Sequence, residues 1–215
     1  MPTAAGRGGN TAPYPAHLRE NRRLSDGMEV ILRPIHPGDY ALERAFIMGL
    51  SRDSRYNRLL SARNLSAQEI RQLTRIDYDR EMAFVAVAGR GVQARLLGVA
   101  RYVRDAERAG AEFALVVADA WQRKGIGTLL LHALLQHARA AGIGRLHGIT
   151  LASNQGMQDL ARKLGFVQTK DPLDATVRLL QKALVPASAP AAGVLRAADR
   201  GVAANDEGYA SGGGM

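Results

Sequence analysis

The chain has 215 residues, a formal net charge of +9 and a pI of about 10.4; 47% of its residues are hydrophobic and 23% are charged. This length suits one folded domain with tails, and the composition is that of a globular protein rather than a disordered or membrane protein. The sequence contains no cysteine, which excludes disulfides, thiol nucleophiles and thiolate metal sites and fits a reducing cytosol.

The first residues lack the apolar core of a signal peptide, and no apolar run approaches the roughly 20 residues that span a bilayer, so we expect a cytoplasmic protein without a membrane partner. The positive charge suggests an anionic partner, which could be nucleic acid, an acidic protein or a polyphosphate cofactor. The arginines are scattered, with neither a dense basic run nor an aromatic ladder, which argues against nucleic acid. His132, His137 and His147 show no metal-ligand grouping with carboxylates, so no metal site is predicted.

Both ends of the chain have the composition of disordered tails. Residues 1–13 are rich in Gly, Ala and polar side chains, and residues 186–215 offer no periodic apolar face. The folded domain is therefore predicted to span residues 14–185.

The domain should open with a hairpin and two helices. The segments 17–24 and 28–34 have strand character and flank an Asp-Gly dipeptide, which tolerates the positive φ of a tight turn. The segment 37–50 begins with proline and has apolar residues at helical spacing. Ser66 and Glu69 form a capping box, so a second helix should start there and end near residue 76.

Three short apolar runs come next and are separated by turn residues. They are rich in β-branched and aromatic side chains, which favours strands that are buried on both faces. The runs are 82–88, 96–103 and 113–118. We predict that they form a central antiparallel meander.

The apolar period becomes helical after Trp121. A helix with an apolar stripe should end near Gly142, and a second helix should stop at Gly165. The remaining strands are predicted at 146–151, 166–169 and 175–180. The fold class is therefore α/β (α+β), with a mixed, mostly antiparallel sheet flanked by helices.

The segment 115–128 is the most informative, because it reads as a strand, a turn and the start of a helix. Gly125 and Gly127 let the backbone approach a bulky anion, while the first N–H groups and the positive end of the helix dipole point toward it. Arg123 and Lys124 add positive charge on the same turn. By spacing alone, the glycines could instead allow tight packing of the helix on the sheet.

The run QRKGIG at 122–127 resembles the Q/R-x-x-G-x-G/A signature of the GNAT superfamily of N-acetyltransferases, and LGF at 164–166 stands at a matching place. The resemblance covers roughly residues 28–180. It implies a GNAT fold and acetyl-CoA as co-substrate, with the CoA pyrophosphate on the turn and the pantetheine arm along the preceding strand. The implied cofactor contacts are Leu115, Val116, Val117, Gln122, Arg123, Lys124, Gly125, Ile126, Gly127, Thr128 and Asn154.

Several shorter motifs resemble the acetyltransferase module of bacterial Pat-type protein lysine acetyltransferases. They are YP at 14–15, LSDG at 24–27, LRPI at 32–35, LSRDSRY at 50–56, DYDREM at 77–82 and AEFA at 111–114. The resemblance implies a protein partner with an acceptor lysine, such as an acyl-CoA synthetase. A small-molecule amine acceptor and a non-catalytic CoA-binding module remain as alternatives.

Glu112 is the candidate catalytic base. A lysine amine must lose a proton before it attacks a thioester, so the site needs a base or a chain of waters. Glu112 lies in an otherwise apolar stretch, where burial would make a carboxylate more basic, and it matches the glutamate of the Pat-type motif. The alternative is a solvated carboxylate at a strand edge.

Two further positions bear on the reaction. Asn154 matches the GNAT asparagine near the pantetheine arm, although a helix cap would explain it equally well. Many GNAT enzymes carry a tyrosine seven residues later to protonate the leaving thiolate, but this chain has Ala161. Water or another group would then supply that proton, or the thiolate would leave unprotonated.

Overall fold

The fold is given by a computed structural model that describes residues 12–59, 65–106 and 109–184. In residues 57–59 only the backbone is described. The two predicted tails lie almost entirely outside the described residues, so their disorder stays a prediction.

One sheet organises the molecule. Its strands are β1 (Glu20–Arg23), β2 (Glu29–Pro34), β3 (Glu81–Ala88), β4 (Arg95–Arg104), β5 (Gly110–Val117), β6 (Arg145–Leu151), β7 (Val167–Lys170) and β8 (Val177–Ala183). Their spatial order is β1-β2-β3-β4-β5-β6-β8-β7, and all neighbours are antiparallel except β5 and β6, which are parallel. The predicted mixed, mostly antiparallel sheet is confirmed.

Five α-helices of the described residues flank this sheet. They are α1 (Tyr40–Gly49), α2 (Arg52–Leu59), α3 (Ala67–Thr74), α4 (Ile126–Ala140) and α5 (Gln155–Lys163). On one face α1 and α3 form a core with β3 and β4, and on the other face α4 packs against β3, β4 and β5. None of these helices is both long enough and apolar enough to cross a membrane.

Local sequence signals place several element ends correctly. Gly27 has φ +84° in the turn between β1 and β2. The capping box of α3 is present, because Glu69 N donates to Ser66 Oγ (3.2 Å) and Ser66 N donates to Glu69 Oε2 (2.8 Å). Gly142 and Gly165 follow α4 and α5 with φ +72° and +76°, as expected at helix C-termini.

Two predicted elements near the start of the chain differ from the structure. His17 lies in a 3₁₀ turn, Ala16–Leu18, rather than in a strand, because Pro15 fixes its own φ and its carbonyl accepts from the N–H of Leu18 (3.1 Å). The proline at residue 37 opens a second 3₁₀ turn, Pro37–Asp39, and the α-helix begins only after it.

Two further differences lie closer to the turn after β5. Helix α2 was missed because its sequence, RDSRYNRL, has no apolar stripe. β5 was expected to be buried on both faces, but Glu112 is exposed and Leu115 is only half-buried. The inner residues of β3, by contrast, are buried throughout, as predicted.

The partial exposure of β5 arises where β6 separates from it. Only three residue pairs join the two strands, and the last is Glu112 with His147. Beyond that pair, the register of the described strands joins β6 to β8 alone. A Cβ at Gly148 would lie 2.8 Å from the carbonyl oxygen of Phe113, so glycine is needed at the point of separation.

Candidate active site

The turn between β5 and α4 has the backbone shape of an anion site. Arg123 has φ +62° and is the one non-glycine residue with positive φ in the part of the chain that the structure describes; Gly125 follows with φ +87°. Left-handed residues in such a turn direct neighbouring N–H groups toward a common centre. Because no side chain caps α4 at Gly125, the first N–H groups of the helix stay available at the positive end of its dipole.

The two glycines of this turn have different surroundings. A Cβ at Gly125 would meet no atom within 4 Å, so glycine there provides the positive φ and leaves the front of the turn open. A Cβ at Gly127 would lie 3.2 Å from Leu160 Cδ2 and 3.6 Å from Leu115 Cδ2. Close packing of α4 against α5 and β5 therefore accounts for Gly127 but not for Gly125.

Arg123 and Lys124 are exposed and bring two positive charges to the turn. The Nζ of Lys124 lies 4.5 Å from the centre of the Trp121 ring, within the range of a cation–π interaction. Trp121 in turn packs against the main core. The indole thus anchors the turn, and the two charges face solvent.

The side chain of Gln122 donates two hydrogen bonds within the protein. Its Nε2 donates to Ser54 Oγ (3.1 Å) and to the carbonyl oxygen of Val117 (3.2 Å). Gln122 therefore ties the start of the turn to the end of β5 and to the first turn of α2.

The strand before the turn combines core side chains with a free edge. Leu115 and Val117 pack toward the core under α4, and Val116 packs toward the core under α1 and α3. The described register pairs these residues with β4 only, since β6 has already separated. The main-chain groups on the opposite edge, apart from the Val117 carbonyl that accepts from Gln122, are thus placed for strand-like pairing with an extended ligand.

Asn154 follows β6, the strand on the other side of the gap that opens where β5 and β6 separate, and it caps α5. Its Oδ1 accepts a hydrogen bond from the N–H of Met157 (3.1 Å). The helix-cap interpretation of this residue is confirmed, and a contact with the pantetheine arm stays a prediction.

Glu112 stands at the other end of β5, where the gap begins. In the register it lies between Val103 of β4 and His147 of β6, and all three side chains share one face of the sheet. The expected burial of Glu112 was wrong, because the described helices leave this part of the face uncovered: Val103 is 43% exposed and Ile149 of β6 is 45% exposed. We call these four residues, Val103, Glu112, His147 and Ile149, the open face.

The open face contains one further titratable side chain. His147 Nε2 lies 2.9 Å from Asp105 Oδ1, so its ring is held beside the Glu112 position. Asp105 and Arg145 are 4.0 Å apart at their closest charged atoms. Within the described residues, no group of three or more His, Cys, Asp or Glu side chains is arranged to hold a metal ion.

The sequence model of the Acetyltransferase (GNAT) family matches residues 50–166, a segment that contains β3, β4, β5, the turn, α4 and α5. The chain belongs to the GNAT acetyltransferase family. Enzymes of this family use acetyl-CoA as the acetyl donor. This GNAT acetyltransferase is 36% identical over 154 residues to the acetyltransferase PA5475 of Pseudomonas aeruginosa, and the match covers 71% of this chain and 83% of that protein.

Pat proteins are among the relatives, which confirms the predicted Pat-like membership. The GNAT chain is 32% identical over 162 residues to the acetyltransferase Pat of Mycolicibacterium smegmatis, with 75% of this chain and 46% of that protein covered. It therefore spans less than half of that relative. The crystal structure of the GNAT domain of S. lividans PAT matches with a TM-score of 0.71 and 28% identity, over 80% of this chain and 100% of that one.

Within this GNAT fold, Ala161 carries no proton donor and is fully buried in the core. At the position where many family members have a tyrosine, the side chain is therefore buried in the core here and does not line the gap. Thiolate protonation, if it occurs, has to come from another group or from water.

One hydrogen-bonded cluster next to the GNAT turn was not predicted from the sequence. Asp119 Oδ1 accepts from Ser51 Oγ (2.7 Å) and Ser54 Oγ (2.8 Å), and its Oδ2 accepts from Ser51 N (2.9 Å). Partial burial disfavours the charged carboxylate, but these donors outweigh it and lower the pKa of Asp119. Ser51 before a polar segment is an N-cap signal that could have indicated α2, whereas a partner 68 residues away leaves no local signal.

Proposed function

We propose that this enzyme transfers the acetyl group of acetyl-CoA to lysine side chains of a protein acceptor, such as an acyl-CoA synthetase, by direct transfer in a ternary complex. The observation that carries the proposal is the position of Glu112, exposed on the open face where β5 and β6 separate. An open face admits the surface of a protein, whereas small ligands are usually held in enclosed pockets. The similarity to Pat proteins supports the same class of acceptor.

The turn after β5 fits the pyrophosphate of CoA. Gly125 leaves its front open, N–H groups converge there, and the nearby cations favour an anion. Acetyl-CoA, when bound, supplies the activated acetyl thioester. The residues that would hold it are Gln122, Arg123, Lys124, Gly125, Ile126, Gly127 and Thr128 at the turn, the main chain of Leu115, Val116 and Val117, and Asn154 across the gap.

Glu112 would serve as the base. A lysine ammonium has a pKa near 10.4, so an acceptor at neutral pH arrives protonated and cannot attack. The Glu112 carboxylate would receive that proton, which leaves the amine free to bond to the acyl carbon. The C–S bond would then break, CoA would leave as the thiolate, and the new amide nitrogen would lose its second proton to water or to that thiolate. Main-chain N–H groups on the free edge of β5 would stabilise the negative charge that develops on the acyl oxygen.

The test follows radiolabelled acetyl from acetyl-CoA into a panel of purified acyl-CoA synthetases and of small amines, with the labelled residue identified by peptide mass spectrometry. The wild type is compared with Glu112→Gln, which keeps the shape of the side chain but removes the charge. Glu29→Gln provides the matched control, because Glu29 is an exposed strand glutamate paired with Arg23 and far from the turn in the sheet order.

Label in a protein lysine that is lost in Glu112→Gln and retained in Glu29→Gln is the expected result. Label in small amines alone would overturn the protein acceptor and keep the family assignment. Equal labelling by wild type and Glu112→Gln would mean that Glu112 is not the base of the reaction. Binding of CoA without transfer to any amine would indicate a non-catalytic module.

A further inference from the structure

We propose that Asp119 and Ser54 are positioning residues that couple the cofactor turn to helix α2, so that CoA bound at the turn also stabilises α2. The inference rests on the proposed binding of CoA at this turn. It assigns a task to the hydrogen-bonded cluster of Ser51, Ser54, Asp119 and Gln122, which we call the bridge.

The bridge completes the N-terminus of α2 from a distant part of the chain. In α3, Ser66 and Glu69 form an ordinary capping box within four consecutive residues. In α2, Ser51 caps the helix and its Oγ accepts from Ser54 N (3.1 Å), but Ser54 occupies the place of the glutamate. The carboxylate that accepts from the N-cap N–H comes instead from Asp119 (2.9 Å).

Ser54 is the centre of the bridge. Its side chain is buried, with the whole residue 8% exposed. Its hydroxyl donates to Asp119 Oδ1 (2.8 Å) and accepts from Gln122 Nε2 (3.1 Å). Both of its partners belong to the segment that leads from β5 into the cofactor turn, so the first turn of α2 is fixed to that segment on two sides.

The location of α2 gives this connection a function. α2 packs against β5, and Val116 on that side shares its sheet face with Glu112. Gln122 opens the cofactor turn, and its amide also reaches the carbonyl oxygen of Val117 (3.2 Å). A ligand that fixes the turn would thus fix the helix beside the face that receives the acceptor. Coupling of this kind is reciprocal, so the bridge should also strengthen CoA binding.

The experiment measures hydrogen exchange by mass spectrometry on the full chain, with CoA alone as the probe and no acceptor present. In the wild type, CoA should protect both the turn, residues 122–128, and α2, residues 52–59. In Ser54→Ala, saturating CoA should still protect the turn but no longer α2, and the Kd for CoA should rise about 5-fold to 20-fold. Ser54→Thr, which keeps the hydroxyl, should restore protection of α2.

A matched control separates coupling from simple loss of stability. Thr74 of α3 is also buried and donates its hydroxyl to the carbonyl oxygen of Arg71 (3.0 Å), away from the turn. Thr74→Val should leave the CoA-induced protection of α2 and the Kd unchanged. Asp119→Asn is the second test variant if Ser54→Ala does not fold, because it keeps one acceptor oxygen and should lose part of the protection.

The outcomes distinguish a failure of the coupling between the turn and α2 from a failure of the proposed CoA binding. Protection of the turn without protection of α2 in the wild type would overturn the coupling and leave CoA binding intact. Retained α2 protection in Ser54→Ala would also overturn it. Absence of protection at the turn itself would overturn the cofactor assignment and the inference together.

Discussion

The two ends of β5 are built by different means. At its C-terminal end the main chain carries the site: the positive φ of Arg123 and Gly125 shapes the turn, and the bridge fixes it to α2. At its N-terminal end the proposed base, Glu112, is an exposed side chain on the part of the sheet face that the described helices leave uncovered. Under the proposed function, backbone geometry specifies the end of β5 that binds acetyl-CoA and a side chain specifies the end that receives the acceptor, so substitutions at the two ends should change different kinetic constants.

Glu112→Gln should have the largest effect. If the base acts only on the acceptor, kcat should fall by about 100-fold to 10,000-fold, the range of a lost general base, while the KM for acetyl-CoA stays within about 2-fold of wild type. Steady-state kinetics with each substrate varied in turn would measure both. A parallel rise in the KM for acetyl-CoA would contradict the expectation that the two ends of β5 determine different kinetic constants.

Gly125→Ala should have the next largest effect, and it should change the affinity for CoA rather than kcat. A non-glycine residue at this φ is strained, and its Cβ would occupy the open front of the turn, so the Kd for CoA should rise about 10-fold. Gly27→Ala is a close control, since Gly27 has φ +84° and a Cβ added there would also meet no atom within 4 Å.

Calorimetry should show that both glycine variants lose similar thermal stability, while only Gly125→Ala loses affinity for CoA. Equal losses of affinity in the two variants would mean that global destabilisation, and not the shape of the turn, explains the result.

The smallest effect is expected from His137, whose substitution should change stability and should affect neither the cofactor turn nor Glu112. His137 of α4 is packed behind β4, with its Nδ1 2.9 Å from the hydroxyl of Tyr102, and burial together with the charge of Arg104 lowers the pKa of His137. The unfolded chain, with a histidine pKa near 6.5, therefore binds a proton more readily, and stability should be present above that pH and be lost as the pH falls below it.

The melting temperature should therefore be a few degrees lower at about pH 5 than at about pH 7.5, and the difference should shrink in His137→Gln. The Kd for CoA at neutral pH should not change in that variant. An unchanged pH dependence in His137→Gln would show that another group titrates.

Elements with local signals were predicted well from the sequence. The Asp-Gly dipeptide before β2, the capping box at Ser66 and the glycines after α4 and α5 each act within a few residues, so the sequence alone contains their partners. The turn of the candidate site belongs to the same class, because its glycines and cations are adjacent in the chain.

What could not be predicted depends on distant contacts. α2 lacks an apolar stripe and is capped through Asp119, a partner that only the folded chain brings near. The exposure of Glu112 depends on where β6 leaves β5 and on which part of the sheet the helices cover. The sequence around Glu112 is apolar, and local composition therefore predicted burial incorrectly.

The short junction between β5 and β6 also has a consequence for how the protein forms. β1 to β5 each pair with the next strand along the chain, and β6, β7 and β8 pair among themselves, so the junction of three residue pairs is the one place where the N-terminal and C-terminal parts of the described sheet meet. In the N-terminal part the connections β1–β2, β3–β4 and β4–β5 are five or six residues long, so these hairpins close short loops and form early, although 46 residues separate β2 from β3. We therefore expect the N-terminal part to fold first as the chain leaves the ribosome, and the gap between the strands to appear only when the C-terminal part joins it.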